Sequence, residues 1–226
     1  VDHLVVAGRT LDECVQWCEA TLGLLPGPGG AHPLMGTHNR LLPCSGNGFE
    51  RSYLELIANE RGKQPTRSKK QRRWFDLDDE ALQATLQRKG PRLIHFVARV
   101  PDAHRAVHAL AAGSPAIDRG AVIEASRDTP AGRLEWQITV RDDGQRLMYG
   151  VLPTLIQWGP VHPTDSMPAA GLELVSLTAS HPRADLLREA YARIGLAGVD
   201  VLQGAPDLVA SLRTPRGLVT LESEGY

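Results

Sequence analysis

Leu93-Ile94-His95-Phe96-Val97-Ala98, with Asp102, Ala103, Ala106, Val107, Leu110 and Gly113 after it, repeats a pattern met earlier in the chain. The earlier copy is Val1-Asp2-His3-Leu4-Val5-Val6, followed by Thr10, Leu11, Cys14, Val15, Cys18, Leu22 and Gly23. In both, an apolar run reads as a strand, a short polar residue as a helix N-cap, the next apolar residues as one helical stripe, and glycine as the stop. Thr10 with Glu13 makes a capping box in the first copy. His3 lies seven residues before Thr10 and His95 seven before Asp102, so the two histidines hold one position of an internal repeat. A third copy starts at Leu172-Glu173-Leu174-Val175, carries Leu186, Leu187, Ala190, Tyr191 and Ile194 on its helix, and stops at Gly195; Val175 stands where the first copy has His3.

Two or three strand-like runs follow each helix: residues 36–42 and 51–58, then 122–126, 134–140 and 152–158, then 208–213 and 218–222. Short connections make these later strands mostly antiparallel. One helix covers one face of such a sheet, so the other face must pair with a second module or enclose a cavity. The expected fold is therefore α+β: repeated βαβββ modules paired into a curved, cup-like mixed sheet with helices outside, plus a third related module. Residues 1–160 hold the paired modules, 1–60 and 92–160, joined by a basic linker and helix over 61–91. Residues 161–170 read as a linker and 171–226 as a third, shortened βαββ module.

Composition narrows the partners. The 226 residues carry 25 Lys and Arg against 26 Asp and Glu, a net charge of -1, which offers no general field for a phosphate backbone; no nucleic acid is expected. The uncharged stretch Leu147–Thr164 contains Pro153, Pro160 and Pro163, so no membrane span is expected either. The three cysteines, an odd number, suit a reducing compartment, and a cytoplasmic protein is the expectation. Arg61, Lys63, Arg67, Lys69, Lys70, Arg72 and Arg73 form a basic run before Asp76, Asp78, Asp79 and Glu80. This reads as a solvated linker feeding the acidic start of a helix that ends near Gly90. No nucleotide cofactor is indicated.

The last strands of the first two modules, Tyr53-Leu54-Glu55-Leu56-Ile57 and Thr154-Leu155-Ile156-Gln157-Trp158, each set one oxygen-bearing side chain among apolar neighbours. With the histidines they give a two-fold set: His3 and Glu55, His95 and Gln157. Two imidazoles, a carboxylate and an amide oxygen suit a divalent ion such as Zn, Ni, Co, Mn or Fe with positions left open for substrate. The bland alternative is four hydrogen-bonded polar side chains in a pocket without metal. His38, which alternates with Arg40, and Arg133 and Gln137, on the strand face opposite Leu134, Trp136 and Ile138, are candidate contacts to a small-molecule substrate. His162, between Pro160 and Pro163, reads as a loop residue.

The Asp2-His3 strand, the helix of residues 13–23, Gly36-Thr37-His38-Asn39-Arg40-Leu41-Leu42 and Tyr53-Leu54-Glu55-Leu56-Ile57 together resemble the glyoxalase-like branch of the vicinal oxygen chelate superfamily. The resemblance covers residues 1–160, and 170–226 more weakly. It implies paired βαβββ modules around a divalent metal held by His3, Glu55, His95 and Gln157, with Glu55 as catalytic base or ligand. Gln157 stands where glyoxalase I-like enzymes have a second carboxylate, and an amide cannot take a substrate proton. His3, His95 and Glu55 supply the composition of the extradiol dioxygenase triad, but with the glutamate on the other module. The function implied is a metal-dependent lyase, isomerase or dioxygenase acting on a small oxygenated molecule. The alternative is a metal-free small-molecule binding or resistance protein of the same fold. The third module, lacking the histidine, reads as structural, and the sheet surface it leaves unpaired motivates a homodimer hypothesis.

Overall fold

Strands buried on both faces need two cores, and the chain supplies them. In the computed structural model, which describes every residue except Asn47, Lys69, Pro130, Ala131 and Tyr226, β1 (His3–Ala7) sends Leu4 and Val6 to one core and Val5 and Ala7 to the other. The first core lies under the helices; the second fills the concave side of a curled sheet.

The elements follow as α1 (Leu11–Leu22), β2 (Ala31–His32), β3 (Thr37–Pro43), β4 (Tyr53–Asn59), α2 (Glu80–Lys89), β5 (Arg92–Arg99), α3 (Ala103–Ala111), β6 (Ala121–Thr129), β7 (Gly132–Val140) and β8 (Thr154–Trp158). Their eight strands run in the order β2-β3-β4-β1-β5-β8-β7-β6. In each half the first strand lies parallel to the last, β1 to β4 and β5 to β8, and the halves meet where β1 and β5 pair antiparallel. That is the paired-module α+β fold expected from the repeat. Across the join His3 faces Val97 and Val5 faces His95, so the two histidines are related by a local two-fold. Around α1 the caps act as read, with the Thr10 side chain accepting from the Glu13 N–H and Gly23 closing the helix with φ of 72°, a backbone region where glycine meets no Cβ penalty, whereas α3 ends on Ala112 and not on Gly113.

The linker differs from the solvated segment expected. Arg61, Lys63, Lys70 and Arg72 do lie outward, but the side chains of Arg73, paired to Asp78 at 2.6 Å, and Arg67, paired to Asp142 at 3.2 Å, are largely covered, while Lys69 lies outside the described residues. Trp74, Phe75 and Leu77, however, turn inward and with Leu82 and Leu86 of α2 pack on Val5, Ala7 and Val97. The physical reason is that the concave face of an apolar sheet must be covered, and this segment crosses it. Phe75 and Asp76 both have φ of 58°, uncommon for non-glycine residues, and are held there by the Asp76 carboxylate, which accepts from Arg146 Nε at 2.9 Å.

A second sheet, β10-β9-β11-β12, is built from β9 (Glu173–His181), α4 (Ala184–Arg193), β10 (Asp200–Gln203), β11 (Asp207–Thr214) and β12 (Gly217–Glu222). It has three strands after its helix, one more than the βαββ reading, and is wired differently. Its first strand lies between β10 and β11 and not beside the last strand, so Glu222 sits exposed on an edge and does not take the place of Glu55. Leu174, Leu177, Leu187 and Tyr191 share the helix-side core with α1 and α3, and the Tyr191 hydroxyl donates to the Val151 carbonyl at 2.5 Å. All three cysteines are buried and free. Among the described residues no helix is long and apolar enough to cross a membrane.

Candidate functional site

The site grows from the first three residues. Asp2 is fully buried beside β1, where its carboxylate accepts from His3 Nδ1 at 2.7 Å, Trp158 Nε1 at 3.0 Å and His162 Nε2 at 3.1 Å. Burial alone would raise its pKa, but the hydrogen bonds from His162 and His3 outweigh that and hold the carboxyl well below the ordinary range. With Nδ1 donating to Asp2, His3 turns Nε2 toward Glu55, whose Oε2 lies 3.6 Å away. That distance is too long for a direct hydrogen bond, so both atoms remain open to a bound molecule. The other Glu55 oxygen accepts from Asn39 Nδ2 at 2.6 Å. The same amide reaches His32 Nε2 at 3.3 Å, and Asn39 Oδ1 accepts from the Gly30 N–H at 2.9 Å. Burial, with Arg127 and His3 nearby, pushes the His32 pKa down to about 3, consistent with a neutral ring accepting from Asn39.

The second half of the repeat is closed. His95 is fully buried; its Nδ1 donates to the Gly150 carbonyl at 2.7 Å, and its Nε2 accepts from the Thr154 N–H at 3.1 Å and lies 3.0 Å from Thr154 Oγ1. Burial first, then Arg119, drives its pKa well below the ordinary value. Arg119, itself buried, donates to Thr154 Oγ1 and to the Pro153 carbonyl. The strand register explains why Thr154 is here. Glu55 pairs with Val5, two residues after His3; the residue paired with Val97, two after His95, is Thr154. Gln157, the expected partner, lies three residues farther along, next to the inward-facing Ile156 and on the face shared with Leu155. Its Oε1 accepts from the Ala103 N–H at 2.9 Å and so caps α3.

The four expected ligands therefore do not form one donor set. His3 and Glu55 adjoin, both nitrogens of His95 are spent on protein partners, and Gln157 is turned to the helix side. Among the described residues no group of three or more His, Cys, Asp or Glu is placed to hold a metal ion. The donor chemistry does not fit a protein-held divalent ion, nor is the two-histidine, one-glutamate triad assembled.

A cavity of about 640 Å³ opens over this half of the cup and narrows to a recess of about 40 Å³ against His3 and Glu55; His32, Trp74, Trp136 and Trp158 border both. Arg133 and Gln137 border the wide part, tied to Ser126 at 2.7 Å and Glu124 at 3.3 Å. His38 does not line either space. The phase of β3 turns Asn39 and Leu41 inward instead, so the residue beside the expected one makes the contact. His162 is no surface loop residue but 2% exposed on Asp2. The sequence reading also missed Asp2, Asn39, His32, Thr154 and Arg127. Asp2 had a signal, being adjacent to His3; Arg127, on the long hairpin strand β6, had none.

A family model described as glyoxalase-like domain matches residues 1–195. No curated protein matches the chain. Among solved structures, a variant of Streptomyces coelicolor methylmalonyl-CoA epimerase in complex with 2-nitronate-propionyl-CoA is 21% identical, covering 72% of this chain and 96% of its own, with a TM-score of 0.39. The methylmalonyl-CoA epimerase from Mycobacterium tuberculosis is 16% identical, covering 74% and 91%, with a TM-score of 0.38. Neither likeness carries an argument about what this chain acts on. The family match spans most of the length on the expected fold, and the chain belongs to the glyoxalase-like domain family.

Proposed function

We propose that this protein is a small-molecule enzyme in which Glu55 and His3 move a proton at a carbon beside a carbonyl of an oxygenated substrate, an isomerase- or lyase-type step. The observation that carries this reading is the pair of open acceptor atoms, Glu55 Oε2 and His3 Nε2, 3.6 Å apart at the floor of an aromatic-walled cavity and backed by buried Asp2. Glu55 takes the proton as general base, becoming a carboxylic acid and leaving an enolate. His3 accepts that proton from Glu55, and the imidazolium so formed is stabilised by the ionised Asp2 carboxylate on its other nitrogen. Return of the proton to a different carbon completes an isomerisation; loss of a β-substituent from the enolate completes an elimination. No step relies on a bound ion.

The test is proton exchange in D2O followed by NMR, with acetoacetate, phenylpyruvate and dihydroxyacetone as probes. Wild-type protein is expected to speed loss of the α C–H signal, and Glu55→Gln to lose at least about 100-fold of that rate, the usual weight of a general base. Exchange by Glu55→Gln equal to wild type overturns the reading. So does a wild-type rate that vanishes with chelator and returns with a divalent ion. Binding of all probes without exchange would favour the metal-free binding protein.

A further inference from the structure

Arg127 reaches from β6 into the recess that holds His3 and Glu55. It is half-buried as a residue, yet Nε and Nη1 are shut off from solvent and have no hydrogen-bond partner. Among the described residues it pairs with no carboxylate, although Glu55 lines the same space; the Glu55 oxygens are directed to Asn39 and His3. A second donor shares the recess: Trp74 is 8% exposed and its indole N–H is likewise buried without a partner. Buried N–H groups are rarely left unpaired, and a buried guanidinium without a counter-charge is costlier still. The backbone is shaped to admit the side chain. A Cβ at Gly30 would stand 2.3 Å from Arg127 Nη1 and 2.7 Å from its Cδ, so the guanidinium packs directly on this glycine and would have to move for any larger residue. Its charge also helps hold neighbouring His32 neutral, so no second cation competes at this wall.

We infer that Arg127, with the Trp74 N–H, is a specificity-determining anion subsite, and that the substrate carries a carboxylate. Planar guanidinium and carboxylate match in a two-point contact. The recess, about 40 Å³, is narrow beside the cavity of about 640 Å³ that opens over it. That favours a compact carboxylate over a tetrahedral phosphate. The inference deepens the proton-transfer reading by placing the carboxylate beside the carbon that Glu55 would deprotonate, and rests on it for that placement alone.

Tryptophan fluorescence of the full chain, titrated at constant ionic strength with benzoate, benzamide and inorganic phosphate, tests it. Benzoate should bind at least tenfold more tightly than its uncharged isostere benzamide. Arg127→Met should erase that preference while leaving benzamide unchanged, and Arg127→Lys should keep part of it. Gly30→Ala, which crowds the guanidinium without removing charge, should weaken benzoate and serves if Arg127→Met does not fold. Glu55→Gln should keep the preference while losing proton exchange, which separates this subsite from the catalytic reading. Equal binding of benzoate and benzamide, no binding of benzoate, phosphate tighter than benzoate, or an unchanged preference in Arg127→Met would each overturn the inference.

Discussion

Asp2 does at the level of one side chain what a bound ion does in other designs: it fixes the orientation of an imidazole and balances its charge. Asp2→Asn would put an amide N–H2 where two ring N–H groups and an indole now donate. It should lower proton exchange at least about tenfold and cost about 3 kcal/mol of stability, the scale for breaking a buried charged pair; NMR exchange rates and urea melts measure the two. The buried histidines set a pH dependence of known sign. His32 and His95 have folded pKa values below that of a free imidazole, so as pH falls through about 6.5 the unfolded chain gains protons that the folded one refuses. Stability should decline on acidification, by about 1.4 kcal/mol per pH unit for each histidine kept neutral, for His32 until about pH 3. Calorimetric melting from pH 7.5 to 5 reads this directly, and a flat profile would contradict it. At this scale His3 and Glu55 were legible because a repeat made them equivalent to something. Asn39 was not, because the alternation of a strand says which residues share a face but not which face is inside, and His38 had the more eye-catching side chain.

The position of β8 against β5 decides which residue completes the second half-site. Counting from the helix caps aligned the two histidines, since cap and strand are rigidly joined over seven residues. The return strand is reached through a hairpin and loops of unequal length, so nothing local fixes its offset, and Gln157 stands three places beyond the true counterpart, Thr154. Separate variants expose the difference. Thr154→Val should take from buried Arg119 the hydroxyl acceptor it shares with His95, whose Nε2 keeps the backbone N–H of residue 154, and cost about 2 kcal/mol, whereas Gln157→Ala should cost about 1 kcal/mol by uncapping α3. Neither should change Glu55-dependent exchange by more than about threefold, because neither side chain reaches the recess. The Trp74-Phe75 plug was hidden for another reason: seven cations around it announced a solvated loop, and only the need to cover a concave apolar sheet brings its two aromatic rings inside.

For the molecule as a whole, the strand-helix-strand rhythm was enough to foresee paired modules, while the docking of the C-terminal sheet was not. That sheet packs on the helix-covered convex side through Tyr191 and Leu187, leaving the mouth of the cup clear. Tyr191→Ala should therefore destabilise the chain by about 3 to 5 kcal/mol, as large core truncations do, yet leave exchange per folded molecule near wild type when melting curves are used to count it. The local two-fold has a last consequence through what stands at its two ends. One end presents a carboxylate, Glu55; the other presents the hydroxyl of Thr154, already engaged by His95 and Arg119. A reaction that inverts a stereocentre by passing a planar intermediate between opposed bases needs acceptors on both sides of that plane, and this molecule offers one. Deuterium should thus return to the side from which hydrogen left, making the transfer suprafacial, with the configuration of any exchanged centre retained.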